Sequence, residues 1–372
     1  MSELYQAKKP NLGFGNMRMP KLPDGSPDVD TVFRMIDTFL ASGYSYFDTG
    51  YIYPGSEEML RKALVERYPR DRYQITTKLF LGDCKTPEDM MKQFNTSRER
   101  LGLEEIDMYF LHGLHGESIK KAKEFKAFDF LRDLRDKGLA HHFGFSFHGT
   151  PEQLDELLTE NPDTELVQLQ LNYLDWDNEK VQGRRCYEIA RKHNKPISVM
   201  EPCKGGLLSG EDTDASRLLM EANPEVSPSS WAFRYIAELE GIHVILSGMS
   251  CVEQVIDNAR TFENFKPLTE EEHALILKAV DLINAVPGVP CTSCAYCTGG
   301  CPQGIHIPFF ISQYNSLVRF NNLEIAKHVY YMATQAQPKA SDCVGCRSCE
   351  ERCPQHIEIT KYLKELAEKL ED

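Results

Sequence analysis

Between residues 12 and 247 the chain alternates short β-rich runs with longer amphipathic stretches eight times over, and this rhythm narrows the fold more than any other feature. The β-type runs fall at 12–16, 44–48, 73–78, 106–112, 142–146, 166–170, 196–201 and 243–247. Amphipathic stretches at 31–42, 57–67, 88–101, 125–137, 151–158, 181–193 and 229–239 separate them, and 251–261 follows the last. In 31–42, Val32, Phe33, Ile36, Phe39 and Leu40 fall on one helical face. Strands that are each followed by a helix predict an α/β fold whose parallel sheet closes as a (β/α)8 TIM barrel. A length of 372 residues suits such a barrel with a small appendage. An open doubly wound sheet is the alternative, but it wants a glycine-rich phosphate loop after its first strand. Gly13-Phe14-Gly15 does not spell G-x-G-x-x-G.

Residues 269–285 read as a further helix whose first turn carries Glu270, Glu271 and Glu272, where negative charge opposes the helix dipole. Val286-Pro287-Gly288-Val289-Pro290 then breaks it. The expected domains are therefore the barrel over 1–285 and a small, mainly α-helical domain over 286–372.

That second domain contains one cysteine pattern twice. Cys291, Cys294, Cys297, Cys301-Pro302 and Cys343, Cys346, Cys349, Cys353-Pro354 both spell C-x2-C-x2-C-x3-C-P. This is the spacing of bacterial-type ferredoxins with two 4Fe–4S clusters, in which the fourth Cys of each run usually closes the other run's cluster. Three thiolates on a tight turn wrap one face of a cubane, while the Cys-Pro bend sends the fourth toward a second cubane. On that logic one cluster takes Cys291, Cys294, Cys297 and Cys353, and the other takes Cys343, Cys346, Cys349 and Cys301. Zinc sites favour two C-x2–4-C pairs and disulfides need an oxidising compartment, so neither alternative matches as well. The 41 residues between the runs leave room for helices at 309–320 and 323–336, and 361–370 reads as a closing helix. The domain resembles the helical ferredoxin modules of fumarate reductase iron–sulfur subunits and dihydropyrimidine dehydrogenase.

A net charge of −14 argues against nonspecific binding to nucleic acid or anionic membranes. Residues 1–10 lack an apolar signal region, and no stretch approaches the ~18 apolar residues of a membrane helix. A cytoplasmic, reducing setting is expected. The four remaining cysteines, Cys84, Cys186, Cys203 and Cys251, are scattered and read chiefly as small core hydrophobes.

In a barrel of this kind chemistry sits at the C-terminal strand ends. Those ends present Asp48, Lys78 and His112 in order, with Tyr53 five residues beyond Asp48. Together they suit carbonyl reduction. Tyr53 would protonate the developing alkoxide while hydride reaches the carbonyl carbon. A phenol of pKa near ~10 needs a neighbouring ammonium to release its proton, which Lys78 supplies and Asp48 holds in place. His112 would orient the carbonyl and donate to it.

This order resembles the aldo-keto reductases over roughly residues 11–285, and the resemblance implies a catalytic tetrad of Asp48, Tyr53, Lys78 and His112. It also implies nicotinamide contacts. The family's serine is kept at Ser146, but its neighbouring asparagine is replaced by Phe147. Gln168 takes the second carboxamide contact, and Met200 replaces the stacking aromatic residue. Gly248, Met249 and Gln254 replace residues that grip the adenosine 2′-phosphate in many relatives, while Asn258 is retained for the adenine. NADPH and NADH both remain open, with Arg260 or Arg234 available to compensate. Gly205 and Gly206 would let backbone amides approach a pyrophosphate. Cys203 has no histidine partner in the sequence pattern and is not read as a nucleophile.

Three functions follow. The first is NAD(P)H-dependent reduction of an aldehyde or ketone, or the reverse oxidation of an alcohol, with the clusters linking the enzyme to a ferredoxin or flavoprotein partner or merely stapling the tail. The second is a reductase fed through its clusters and acting on a non-carbonyl substrate, motivated by Met200 and Phe147. Hydride carries two electrons and a cluster one; a flavin normally converts between them, but no flavin fingerprint is present. The third is a non-catalytic electron-transfer or docking module.

Overall fold

The structure is a computed structural model and describes residues 11–22, 26–211, 213–286, 288–320, 323–334 and 337–371. Eight parallel strands close into a barrel in chain order. They are β1 (Leu12–Gly15), β2 (Tyr46–Asp48), β3 (Gln74–Leu79), β4 (Ile106–Leu114), β5 (Ala140–Phe147), β6 (Leu166–Gln170), β7 (Ile197–Met200) and β8 (Ile242–Ser247). The first and last strands meet with Leu12 opposite Ile245 and Phe14 opposite Ser247. The expected barrel is present, and its strands read as apolar runs because both faces are buried.

Inside the barrel, Tyr46, Met108, Phe110, Leu166, Val244 and Leu246 pack in two small clusters, all from even-numbered strands. Side chains from alternate strands fill layers of this kind. Outside it, the helix Val29–Ala41 buries Val32, Met35, Ile36, Phe39 and Leu40. Phe33, expected on that face, is only partly buried and lies beneath the Arg67 guanidinium at 4.4 Å. Met35 takes its place in the core. The helix begins where the Asp28 carboxylate accepts from the Thr31 amide at 3.1 Å, meeting one of the donors a helix start leaves unpaired.

Cα packing divides the chain into two compact units. One comprises Met1–Asn178, Gln182–Cys203 and Glu225–Glu270; the other gathers Glu179–Val181, Lys204–Pro224 and Glu271–Asp372. The second unit therefore includes the segment that follows β7. Its core is built from Ile305, Ile307, Phe310, Leu363 and Leu366 with the buried Cys297, Cys349 and Cys353. Its helices include Ile307–Phe320, Leu323–Thr334 and Ile359–Leu370. Among the described residues no helix is long and apolar enough to cross a membrane.

The two cysteine runs are also one backbone built twice. Left-handed residues recur at Ser293 and Gly345, at Ala295 and Arg347, and at Gly304 and His356. The Ile307 amide donates to the Ile305 carbonyl, and Ile359 to Ile357, both at 2.9 Å. A long helix follows each copy. Four of the six left-handed positions carry side chains despite the steric cost, so the turn geometry is imposed by its surroundings rather than by glycine alone.

The tightest strand contact lies at Gly144 on β5. A Cβ there would stand 2.0 Å from the Leu166 carbonyl oxygen on β6. Gly144→Ala should therefore force the two strands apart and destabilise the barrel by about 3 kcal/mol, read as a lower urea midpoint; an unchanged midpoint would contradict this close approach.

Candidate active site

Asp48 ends β2, Lys78 lies near the end of β3, His112 lies on β4, and Tyr53 sits in the loop after β2. The fold brings all four together. Lys78 Nζ, with its side chain 1% exposed, donates to Asp48 Oδ1 and to the Thr49 carbonyl, each at 2.6 Å. Gln168 Nε2 reaches the other Asp48 oxygen at 3.4 Å. Tyr53 OH and His112 Nε2 are 3.3 Å apart, their rings nearly perpendicular. The ammonium lies 5.6 Å from the Tyr53 ring centroid. Hydroxyl, imidazole and ammonium thus converge on one small region, as proton donation to a carbonyl oxygen requires.

Electrostatics separates their roles. Burial lowers the pKa of Lys78, and the Asp48 carboxylate opposes that fall. Burial raises that of Asp48 against the pull of Lys78. His112 is held well below the ordinary histidine value by burial, then by the charge of Lys78 and by His148. Its imidazole is therefore neutral at physiological pH and suited to donating a hydrogen bond rather than carrying charge.

Several supporting residues carry no sequence signal of their own. Asn16 donates to the Asp48 carbonyl at 3.0 Å and to the Phe14 carbonyl at 2.9 Å, tying β2 to β1. Ser56 donates to the Asn16 carbonyl and shares a hydrogen bond with Thr49. Glu57 is buried and accepts from Thr77 at 2.6 Å and from Arg100 at 3.3 Å. Arg100 also donates to the Tyr51 carbonyl, which anchors the loop that carries Tyr53. An acidic residue in a helix's first turn ordinarily reads as solvated, which hid Glu57.

The expected cofactor contacts are distributed over the later strands. Ser146 and Gln168 are register partners on β5 and β6; the Ser146 hydroxyl accepts from the Gly113 amide at 2.7 Å. A hydroxyl beside a carboxamide is a donor set that fits a nicotinamide carboxamide. Phe147 instead packs in the hydrophobic core with Phe145. Met200 ends β7, partly buried. Gly248 is exposed just beyond β8. Gln254 caps the turn at Ser250 through the Ser250 amide at 2.7 Å, and Asn258 is buried and donates to Ser247 at 2.9 Å. Arg234 donates to the carbonyls of Lys266 and Pro267, so its guanidinium is committed to backbone; Arg260 is exposed. Burial pushes the Cys203 thiol up to about 12, consistent with a non-nucleophilic cysteine.

In the second unit, Cys291, Cys294 and Cys297 of the first run and Cys353 of the second line one cleft, walled by Ile307 and Ile357. A Cβ on Gly300 would come within 2.6 Å of Arg352, so the two runs lie against each other. None of the eight cysteines is in a disulfide; Cys346 is exposed, whereas Cys297, Cys349 and Cys353 are buried. Burial and the neighbouring thiols push Cys297 up to about 12. Among the described residues no three His, Cys, Asp or Glu gather as a single metal ion would require; the four thiols surround a cleft. Crowded thiols on apolar walls ionise only against cationic charge, which the iron of a cubane supplies. The donor set fits such a cluster. Gly205 (φ 65°) packs so closely on Thr292, beside Cys291, that a Cβ would lie 2.7 Å from the Thr292 side chain. This steric reason for glycine was not foreseen alongside pyrophosphate approach.

Comparison with known proteins gives two family matches. A family described as "Aldo/keto reductase family" covers residues 11–281, and one described as "4Fe-4S dicluster domain" covers residues 290–358. The 9,11-endoperoxide prostaglandin H2 reductase of Trypanosoma cruzi is 26% identical over 282 residues, covering 74% of this chain and 88% of that protein. One subunit of the H(2):CoB-CoM heterodisulfide,ferredoxin reductase of Methanothermobacter thermautotrophicus is 31% identical over 74 residues, 20% of this chain and 36% of that subunit. Among solved structures, an aldo/keto reductase from Klebsiella pneumoniae in complex with NADP and acetate superposes with a TM-score of 0.59 at 18% identity, covering 73% of this chain and 91% of that one. That likeness is one of fold.

The depressed His112 pKa has a measurable effect on stability. The unfolded chain, with a histidine near its ordinary ~6.5, binds the proton more readily than the folded one. The contribution of neutral His112 to stability is therefore complete above about pH 6.5 and lost as pH falls toward the folded value. His112→Asn should narrow its stability gap to the parent protein as pH drops below about 6.5, in urea titrations at stepped pH; a constant gap would contradict a depressed pKa.

Proposed function

The chain belongs to the aldo/keto reductase family and is an oxidoreductase, and on that premise we propose that it interconverts a carbonyl and an alcohol using NADPH or NADH. The observation that carries the reading is Lys78, buried at 2.6 Å from Asp48 with Tyr53 and His112 beside it. The nicotinamide, when bound, supplies or accepts the hydride. Tyr53 delivers the proton to the carbonyl oxygen, the Lys78 ammonium favours loss of that proton, and Asp48 keeps the ammonium charged and aimed. Neutral His112 donates to the same oxygen. Ser146, Gln168 and Met200 would hold the nicotinamide end, with Gly248, Gln254 and Asn258 toward the adenosine.

We assign a 4Fe–4S cluster to Cys291, Cys294, Cys297 and Cys353, and a second to Cys343, Cys346, Cys349 and Cys301, within a domain beginning near residue 286. When bound, the clusters supply single-electron exchange with a ferredoxin or flavoprotein partner. The acidic chain, without a spanning helix among its described residues, suits work in the cytoplasm. A second reading, electrons delivered through the clusters to a non-carbonyl substrate, is favoured by Met200, since a flexible thioether holds a nicotinamide ring less rigidly than an aromatic side chain.

Tyr53→Phe should lower turnover of an aldehyde, ketone and alcohol panel at least about a hundredfold while leaving NAD(P)H binding, followed by fluorescence, nearly intact. Unchanged turnover would remove Tyr53 from the proton path. Protein purified without oxygen should contain about eight iron and eight sulfide per chain; half that content would mean that one run holds no cubane. Flavin bands in its absorption spectrum would instead support the second reading.

A further inference from the structure

The two cysteine runs share a backbone but have unlike neighbours. In the first run, Gln303, the residue after Cys301-Pro302, is exposed. Its counterpart Gln355, after Cys353-Pro354, is buried and accepts a 2.9 Å hydrogen bond from Lys204 Nζ. Lys204 is itself 4% exposed and has a left-handed backbone, φ 44°. Gln355 lines the cleft of Cys291, Cys294, Cys297 and Cys353, and so does Thr292, on which the next residue, Gly205, is packed. One buried ammonium is therefore held, through the Gln355 side chain, against one cysteine set, and the duplicated position on the other set lacks the buried glutamine that would receive one.

We propose that Lys204 sets the reduction potential of the cluster held by Cys291, Cys294, Cys297 and Cys353, raising it above that of the other cluster. This rests on the cluster assignment proposed above. Adding one electron places further negative charge on a group already negative from four thiolates. Burial opposes that step, and the opposition grows as solvent is excluded. By exposure alone this set, with Cys297 and Cys353 buried, would be harder to reduce than the set containing exposed Cys346. A fixed ammonium at hydrogen-bond range of the cleft wall reverses the order, because its attraction is little screened there. Electrons accepted at the exposed cluster then settle at the buried one.

The test is a mediated redox titration of full-length protein with dithionite, followed by electron paramagnetic resonance, one electron entering each cluster. Iron and sulfide are measured first; a parent protein without iron would overturn the cluster assignment and this inference with it. Lys204→Met and Lys204→Gln should make the higher-potential cluster about tenfold harder to reduce, about 59 mV for a one-electron couple, and leave the lower one in place. Lys204→Arg, which keeps the charge, should titrate like the parent. Loss of half the iron from both neutral variants but not from the arginine variant would also support a role for the charge. Unmoved potentials in the neutral variants, an equal shift in Lys204→Arg, or iron loss from all three would overturn it.

Discussion

The arrangement at the mouth of the barrel depends on one buried ion pair, Lys78 with Asp48. Removing Lys78 and Asp48 from water costs several kcal/mol for each ion, and their attraction offsets this only when the remaining donors and acceptors are also met. Here they are met by protein. Lys78 finds the Thr49 carbonyl besides Asp48, and Asp48 receives Gln168 from across the barrel. Asn16 then fixes the Asp48 backbone to β1. These polar contacts around the pair draw residues from β1, β2, β3 and β6 into one network. The hydroxyl of Tyr53 comes from a loop, yet that loop is tied down by Arg100 at Tyr51, so its position inherits the rigidity of the strands.

Much of this was legible in the sequence because parallel barrel strands, buried on both sides, appear as unbroken apolar runs. All eight are where the pattern puts them, and 166–170 coincides with β6 to the residue. The ends drift where the apolar run outlasts or falls short of the hydrogen-bonded ladder: Tyr44 is buried but precedes β2, and β4 continues to Leu114. The four residues could be singled out because Asp48, Lys78 and His112 stand at or near strand ends in order, with Tyr53 in the loop after Asp48. Asn16, Glu57 and Lys204 could not. Each is a polar residue whose meaning comes from a partner distant in sequence, Asp48, Thr77 and Gln355 respectively, and each alone looks like an ordinary solvated side chain.

The tail shows the same contrast at another scale. Cysteine spacing is a local code, so the repeat could be read directly; the left-handed positions that recur in both copies are visible only in the structure. What distinguishes the copies is not local. It lies in the segment after β7, which packs in the second compact unit through Lys204 and Gly205. Two adjacent residues from the middle of the chain thereby become part of the environment of cysteines found roughly a hundred residues later.

Strand order divides the barrel mouth into two territories. Asp48, Tyr53, Lys78 and His112 belong to β2 through β4 and their loops, whereas Ser146, Gln168, Met200 and Asn258 belong to β5 through β8 and the helix beyond. Gln168 bridges from the later strands to the tetrad by hydrogen bond. On the roles proposed above, Met200 and Gly248, which replace the family's aromatic and phosphate-gripping residues, lie on the later arc, apart from the strands that carry Asp48, Lys78 and His112. The departures from the family pattern at Phe147, Met200 and Gly248 thus collect on one arc of the barrel.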